Sequence, residues 1–175
     1  MALNAADLFH IGIVVEDFES TLAELSELFG YEWCEEMSYP TDVLFGDGSK
    51  GVVRSSFVYS MNTARLEIIR TIPGTLWVPA AGSGVHHMGY WSDDIEAHSD
   101  LLLKRGFVAE ATGLSPDGKP FWAYLRHGSG PRVEIVTRAL RPILEQYFTT
   151  GKVPVGPDSG TQPAGVSGTS QGGTT

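Results

Sequence analysis

The sequence predicts an α+β fold assembled from two copies of one strand–helix–strand–strand–strand unit. Three observations lead there. Leu8 to Phe18 and Val85 to Ile95 run in step when His10 is set over His87: histidine, an apolar residue and glycine, then an acidic residue, aspartate and an apolar residue. Gly30 and Gly106 close the helix-like runs that follow, at nearly equal distances. Each half then ends in a short strand centred on glutamate, Arg65-Leu66-Glu67-Ile68-Ile69 and Arg132-Val133-Glu134-Ile135-Val136.

Each element has its own signal. Leu8 to Val15 is apolar and rich in branched residues, which favours a strand. Asp17 is a good N-cap, and Phe18, Leu22, Leu25 and Leu28-Phe29 recur at helical spacing up to Gly30. Tyr31 to Glu35 reads as the second strand. Tyr39 to Lys50, with Pro40, Gly46, Asp47 and Gly48, reads as turns. Gly51 to Ser60 and Ala64 to Arg70 complete the first unit, and Thr71 to Gly84 connects the two. Val85 to Trp91 opens the second unit as a strand, followed by a helix over Asp94 to Lys104 in which His98 reads as solvated. Phe107 to Ala111 is a weak strand. Pro116-Asp117-Gly118 marks a turn, and Phe121 to Arg126 and Arg132 to Thr137 finish the sheet. Ala139 to Phe148 adds a terminal helix with Pro142 in its first turn.

The expected organisation is a single domain over residues 1–150, with modules at about 5–70 and 84–138 and the terminal helix at 139–148. Residues 151–175 hold seven Gly, three Pro and seven Ser or Thr. They offer little to bury against the cost of ordering the chain, so a disordered tail is expected there. The formal charge is −9 with no Lys/Arg cluster, which argues against nucleic acid or an anionic membrane as partner. No apolar run is long enough to cross a bilayer, and a cytoplasmic protein is the expectation. Cys34, the single cysteine, excludes an intramolecular disulfide and a Cys-rich zinc site, and reads as a small packed residue.

Strand alternation groups the ionisable residues. With His10 and His87 facing inward, their apolar neighbours face the helix layer, and Leu66 and Ile68, or Val133 and Ile135, do the same around each glutamate. One histidine and one glutamate per half then share the face away from the helix, where buried ionisable groups are costly unless paired or bound to metal. Gly12 and Gly89 fall on that face, where their missing side chains would leave room for ligand. A lone strand His with a lone strand Glu is ordinarily a hydrogen-bonded pair or a solvated face. Two matched pairs converge only if the repeats pack about a pseudo-twofold axis. Trp77, Trp91, Trp122 and Tyr124 are candidate substrate-binding residues, with packing the alternative for each; Tyr59 has the same two readings. Arg54 is a candidate for holding a carboxylate or enolate oxygen, or else a surface ion-pair residue.

At these residues the chain resembles the vicinal oxygen chelate superfamily, which includes glyoxalase I, methylmalonyl-CoA epimerase, extradiol dioxygenases and bleomycin-resistance proteins. The resemblance covers roughly Leu8 to Thr137 and is most specific over Gly84 to Ile95. It implies two paired βαβββ modules forming a cupped mixed sheet around one divalent metal ion (Zn, Ni, Co, Mn or Fe). The implied ligands are His10, Glu67, His87 and Glu134, leaving His86 to point toward the opposite face or an interface. The implied chemistry is that of an isomerase or lyase: proton transfer beside a substrate carbonyl through an enediolate or enolate stabilised by the metal. Glu67 or Glu134 could leave the metal to act as base, with Arg54 as a further catalytic candidate.

Two positions depart from relatives. Arg54 stands nearest to the place of a non-ligand glutamate base in methylmalonyl-CoA epimerases. Val14 stands where bacterial glyoxalases carry an arginine for the glutathione carboxylate. Both count against those particular substrates. A small, fairly apolar carbonyl compound or thioester is the expected partner, and a homodimer is implied, since exposed sheet edges and a concave sheet invite pairing. The alternatives are a non-catalytic small-molecule binding or resistance protein and a ring-cleaving dioxygenase.

Overall fold

The computed structural model describes residues 3–154. The first module runs β1 (Leu8–Val15), α1 (Phe18–Phe29), β2 (Met37–Phe45), β3 (Lys50–Tyr59) and β4 (Leu66–Arg70). The second runs β5 (His87–Ser92), α2 (Ile95–Leu103), β6 (Val108–Leu114), β7 (Pro120–Arg126) and β8 (Arg132–Thr137). A 3-10 turn over Arg138–Leu140 leads into α3 (Arg141–Thr150). The strands close into a barrel in the order β1-β4-β3-β2-β6-β7-β8-β5, with β5 returning to β1. The two modules therefore pair within one chain. Among the described residues the sheet has no free edge, so the edge-pairing argument for a homodimer does not apply.

Local chemistry sets the helix ends as expected. Asp17 accepts a hydrogen bond from the Ser20 amide at the start of α1, and Asp94 accepts one from Ala97 at the start of α2. Gly30 ends α1 at φ 73°, a left-handed conformation that a side chain would resist. Within α1, Leu22 and Leu25 pack on the core, but Leu28 and Phe29 are exposed. In α2 the buried residues are Ile95 and His98. His98 is therefore not solvated: its Nδ1 lies 2.7 Å from the Ser92 hydroxyl at the end of β5.

The second strand departs most from expectation. Residues 31–35 contribute only an isolated bridge between Trp33 and Ser60, and β2 instead crosses the stretch that carries Pro40. Proline is tolerated there because β6 joins β2 only from Asp42 onward, so the missing amide falls where just one neighbour, β3, is paired. The turn signals at Gly46, Asp47 and Gly48 are confined to the tight β2–β3 hairpin. β6 likewise extends three residues past Ala111 before the Pro116-Asp117-Gly118 turn.

Two segments have no counterpart in the repeat. The connector between β4 and β5 tucks Trp77 into the interior at 3 % exposure. The helix α3 buries Tyr147 and Phe148, whose rings pack against Tyr59 of β3. Its far end is fastened to Glu35. The Tyr147 hydroxyl donates to the Glu35 carbonyl, the Glu35 amide donates to the Gly151 carbonyl, and Lys152 and the Val153 amide meet the Glu35 carboxylate. The expected tail thus begins later than Gly151. Residues 155–175, on which the rest of that expectation falls, lie outside the described residues. No described helix is long and apolar enough to cross a membrane.

Cys34 is packed beneath α3, with Sγ 3.5 Å from the Tyr147 carbonyl, and burial pushes its thiol up to about 11. A thiol held protonated and covered is a poor nucleophile. Native protein should therefore resist iodoacetamide at pH 8 and become singly alkylated once unfolded, as read by intact mass.

Candidate metal centre

The centre is built by the register between β1 and β5. His10 pairs with Gly89 and His87 pairs with Gly12 across this antiparallel contact. Directly opposed residues share a face, so each imidazole lies over the other module's glycine. A Cβ on Gly12 would overlap the His87 ring, and one on Gly89 would overlap the His10 ring. The glycines thus make room for the histidines rather than for ligand, a correction to the sequence-based expectation. The parallel pairings β1–β4 and β5–β8 set Glu67 beside Gly12 and Glu134 beside Gly89. Across the next strand in each module, Tyr59 stands opposite Glu67 and Tyr124 opposite Glu134.

The result is a compact, buried group of four. One ligand atom from each of His10, Glu67, His87 and Glu134 lies within 4.8 Å of all the others. The two histidine Nε2 atoms are 2.8 Å apart. Glu134 Oε2 is 3.1 Å from His10 Nε2, and Glu67 Oε2 is 3.1 Å from His87 Nε2. All four residues are less than a tenth exposed. Oε2 of Glu67 and Oε2 of Glu134 are fully buried and accept no hydrogen bond. Two imidazole nitrogens and two unsatisfied carboxylate oxygens pointing at one centre match the donor set of a first-row divalent ion. The chemistry of this donor set fits such a group.

Electrostatics tie the four together. Burial opposes charge on every one of them, yet the pairing prevails. The carboxylate of Glu67, with that of Glu134, raises His10 to about 9 and raises His87 as well. The histidines in turn hold both carboxylates below their usual range. Burial and the same two carboxylates push the Tyr59 and Tyr124 phenols well above 10, so both remain hydrogen-bond donors.

His86 does not turn to an outer face or interface. It is buried beside His87, with Nε2 2.8 Å from the Leu76 carbonyl and Nδ1 3.1 Å from His87 Nδ1. A carbonyl can only accept, so His86 carries its proton on Nε2. Burial lowers its pKa to about 4 and keeps it neutral, leaving Nδ1 as an acceptor. His87 therefore donates Nδ1–H to His86, which fixes the ring so that Nε2 would face a metal once its proton is displaced, a bracing typical of ligating histidines. His10 has no such support, since its buried Nδ1 has no hydrogen-bond partner among the described residues. In the sequence this role is signalled only by the doubled histidine at the start of β5.

A cavity of about 80 Å³ adjoins the centre. Trp77, Trp122 and Tyr124 line it, as do Tyr39, Phe57 and Tyr59 from the first module. Glu67 and Glu134 reach it from the strands, and Leu140, Ile143 and Leu144 cover it from the α3 side. Two candidate residues lie elsewhere. Arg54 has the opposite strand parity to Ser55, Phe57 and their cavity-facing row; it is exposed and lines no part of the cavity. Trp91 is buried in a stack on Phe9, with ring centroids 3.8 Å apart, beside the irregularity in β1–β5 pairing at Phe9. It lines a second depression that His10 also reaches, together with Arg65, Arg141 and Glu145.

The chain's likeness to known proteins is one of family and fold. A sequence model of the glyoxalase/bleomycin resistance protein/dioxygenase superfamily matches residues 9–121, more than half of the chain. Among solved structures, a variant of Streptomyces coelicolor methylmalonyl-CoA epimerase in complex with 2-nitronate-propionyl-CoA is 20% identical, with a TM-score of 0.52 over 76% of this chain and 97% of that one. A methylmalonyl-CoA epimerase in complex with methylmalonyl-CoA and NH4+ is also 20% identical, with a TM-score of 0.52 over 76% and 94%. A hypothetical protein from Bacillus halodurans is 16% identical, with a TM-score of 0.52 over 75% and 93%. At these identities the likeness is one of fold. No curated protein matches the chain.

Two predictions follow from the geometry. Replacing His86 with Phe should leave the thermal midpoint within a few degrees but weaken divalent-metal affinity by about 10- to 100-fold. Gln, which can still accept from His87, should recover part of that loss; chelator competition measures both. Metal binding should also release protons. The His10 proton and the ion compete for Nε2, so apparent affinity should climb about tenfold per pH unit for each proton displaced, up to about pH 9, and level off above it. An affinity independent of pH between 6 and 9 would contradict the coupling.

Proposed function

The chain belongs to the glyoxalase/bleomycin resistance protein/dioxygenase superfamily, and on that basis we propose that it is a divalent-metal-dependent isomerase or lyase of the glyoxalase/epimerase type, moving a proton beside a substrate carbonyl. The observation that carries this reading is the buried convergence of His10, Glu67, His87 and Glu134 next to a mostly apolar cavity. A divalent ion held by these residues would supply Lewis acidity to a carbonyl oxygen, lowering the cost of removing the neighbouring proton.

The chain's own groups would do the rest. Among the described residues, Glu67 and Glu134 are the only carboxylates reaching the cavity, and no histidine outside the four lines it. One of these glutamates must therefore also serve as the base, taking the proton from the carbon and returning it. Tyr59 and Tyr124, held as phenols beside the carboxylates, can donate hydrogen bonds to a substrate oxygen or to the glutamate that has moved. The aromatic walls and the α3 side chains exclude water, which protects a basic carbon from quenching. Arg54, on the outer face, has no part in this scheme.

A small carbonyl compound or thioester is the proposed partner. Two structural neighbours support thioesters, being described with CoA thioester ligands. The absence of a separate base among the cavity residues is the one observation favouring a second reading, a binding protein without turnover. A ring-cleaving dioxygenase fits less well, because the chain presents two carboxylates with its two histidines rather than one.

The reading is tested by solvent-deuterium exchange. Metal-loaded protein should wash deuterium into the carbon beside the carbonyl of a small ketone or acyl thioester. Glu67→Gln and Glu134→Gln should each reduce the exchange rate by at least about 100-fold, the usual scale for a lost general base. Full metal occupancy with no exchange in any member of such a panel would instead establish the binding-protein reading.

A further inference from the structure

Resting on the reading above, the geometry points to a substrate whose reacting end is uncharged: a neutral ketone or thioester bearing an alkyl or aryl group, without a carboxylate near the reacting carbon. The argument starts from the chain's cations. There are 12 Lys and Arg residues, and none lies in residues 1–2 or 155–175, so all of them are described. None lines the cavity.

The cations nearest in sequence to the site are committed elsewhere. Arg65, which with His10 and Arg141 lines a different depression, places its guanidinium 3.8 Å over the Phe148 ring and donates to the Ser60 carbonyl. Arg132, opposite His87 in the β5–β8 register, is paired with Glu110. Arg54 is exposed on the outer face. A carboxylate brought into the cavity would meet aromatic rings, the neutral hydroxyls of Tyr39, Thr41, Ser55, Tyr59 and Tyr124, no cation, and two glutamates already present.

Charge counting gives the same result. Two carboxylates with two neutral imidazoles offset the charge of one divalent ion, leaving the loaded centre neutral. A neutral substrate keeps that balance when its proton passes to Glu67 or Glu134, since the charge only moves within the site. A carboxylate-bearing substrate would add an unpaired buried negative charge, the costliest kind of polar burial. The flat aromatic walls instead reward an alkyl or aryl substituent.

The test uses three hydroxamates, which present two neighbouring oxygens to a metal: benzohydroxamate, its 4-carboxamide and its 4-carboxylate. The last two match in size and differ in charge. Binding to the metal-loaded full chain is read by quenching of tryptophan emission, since Trp77 and Trp122 lie in the wall, and metal content is measured beforehand. The carboxylate should bind at least about tenfold more weakly than the carboxamide, and Ser55→Arg, which sets a cation in the wall, should shrink or reverse that gap. Equal or tighter binding of the carboxylate overturns the inference while leaving the metal-dependent reading intact. Failure of all three to bind overturns it too, and the metal content then decides whether the proposed function falls with it.

Discussion

The structure depends on one reciprocal contact: each module's histidine packs its ring over the other module's glycine. The β1–β5 register puts His10 on Gly89 and His87 on Gly12. That single pairing brings the two Nε2 atoms to 2.8 Å and closes the barrel at the same seam. A slip of one residue would turn both rings toward the helix layer and both glycines away from them. Ligand placement and barrel closure are thus one constraint. The parallel neighbours then carry Glu67 and Glu134 to the same centre without any further device.

Such a centre is a poor way to hold a fold together. Four ionisable groups are withdrawn from water and compensate mainly one another, while Glu67 Oε2 and Glu134 Oε2 accept no hydrogen bond. An apolar interior of the same volume would be as stable or more so. The surrounding structure is arranged around this liability. His86 spends its own hydrogen bonds holding the His87 ring, and two phenols stand across from the carboxylates. Perturbed ionisable groups gathered beside a cavity are what makes this cluster a functional-site candidate.

Much of this was legible in the sequence because duplication makes parity visible. The alignment of His10 with His87, and of Glu67 with Glu134, placed the four residues on one face before any coordinates. What failed was local. Pro40 and the Gly46–Gly48 cluster outweighed the strand character of residues 37–45, since sequence signals cannot show that one side of a strand is unpaired. Arg54 was judged by approximate alignment with a relative, whereas strand alternation from Ser55 and Phe57 excludes it from the cavity. Trp91 shares the inward parity of His87, but the irregular pairing at Phe9 gives it a stacking partner instead. His98 and His86 found partners in Ser92 and Leu76 that no sequence pattern announces.

The same contrast separates what binds a metal from what selects a substrate. The ligands, their glycines and the phenols come in pairs related by the repeat. Trp77 lies in the connector, and Leu140, Ile143 and Leu144 lie in or just before α3, the segments without a counterpart. A duplicated framework can supply only a symmetric centre, whereas a substrate with distinct ends needs an asymmetric surround. The connector brings an indole to one side, and its Leu76 carbonyl anchors His86 and through it His87 alone. The terminal helix, fastened at Glu35, covers another side with aliphatic groups. Under the proposed function, changes in those two segments would alter which carbonyl compound is accepted while His10, Glu67, His87 and Glu134 stay as they are, and in this chain both segments bring apolar groups and no charge to the cavity.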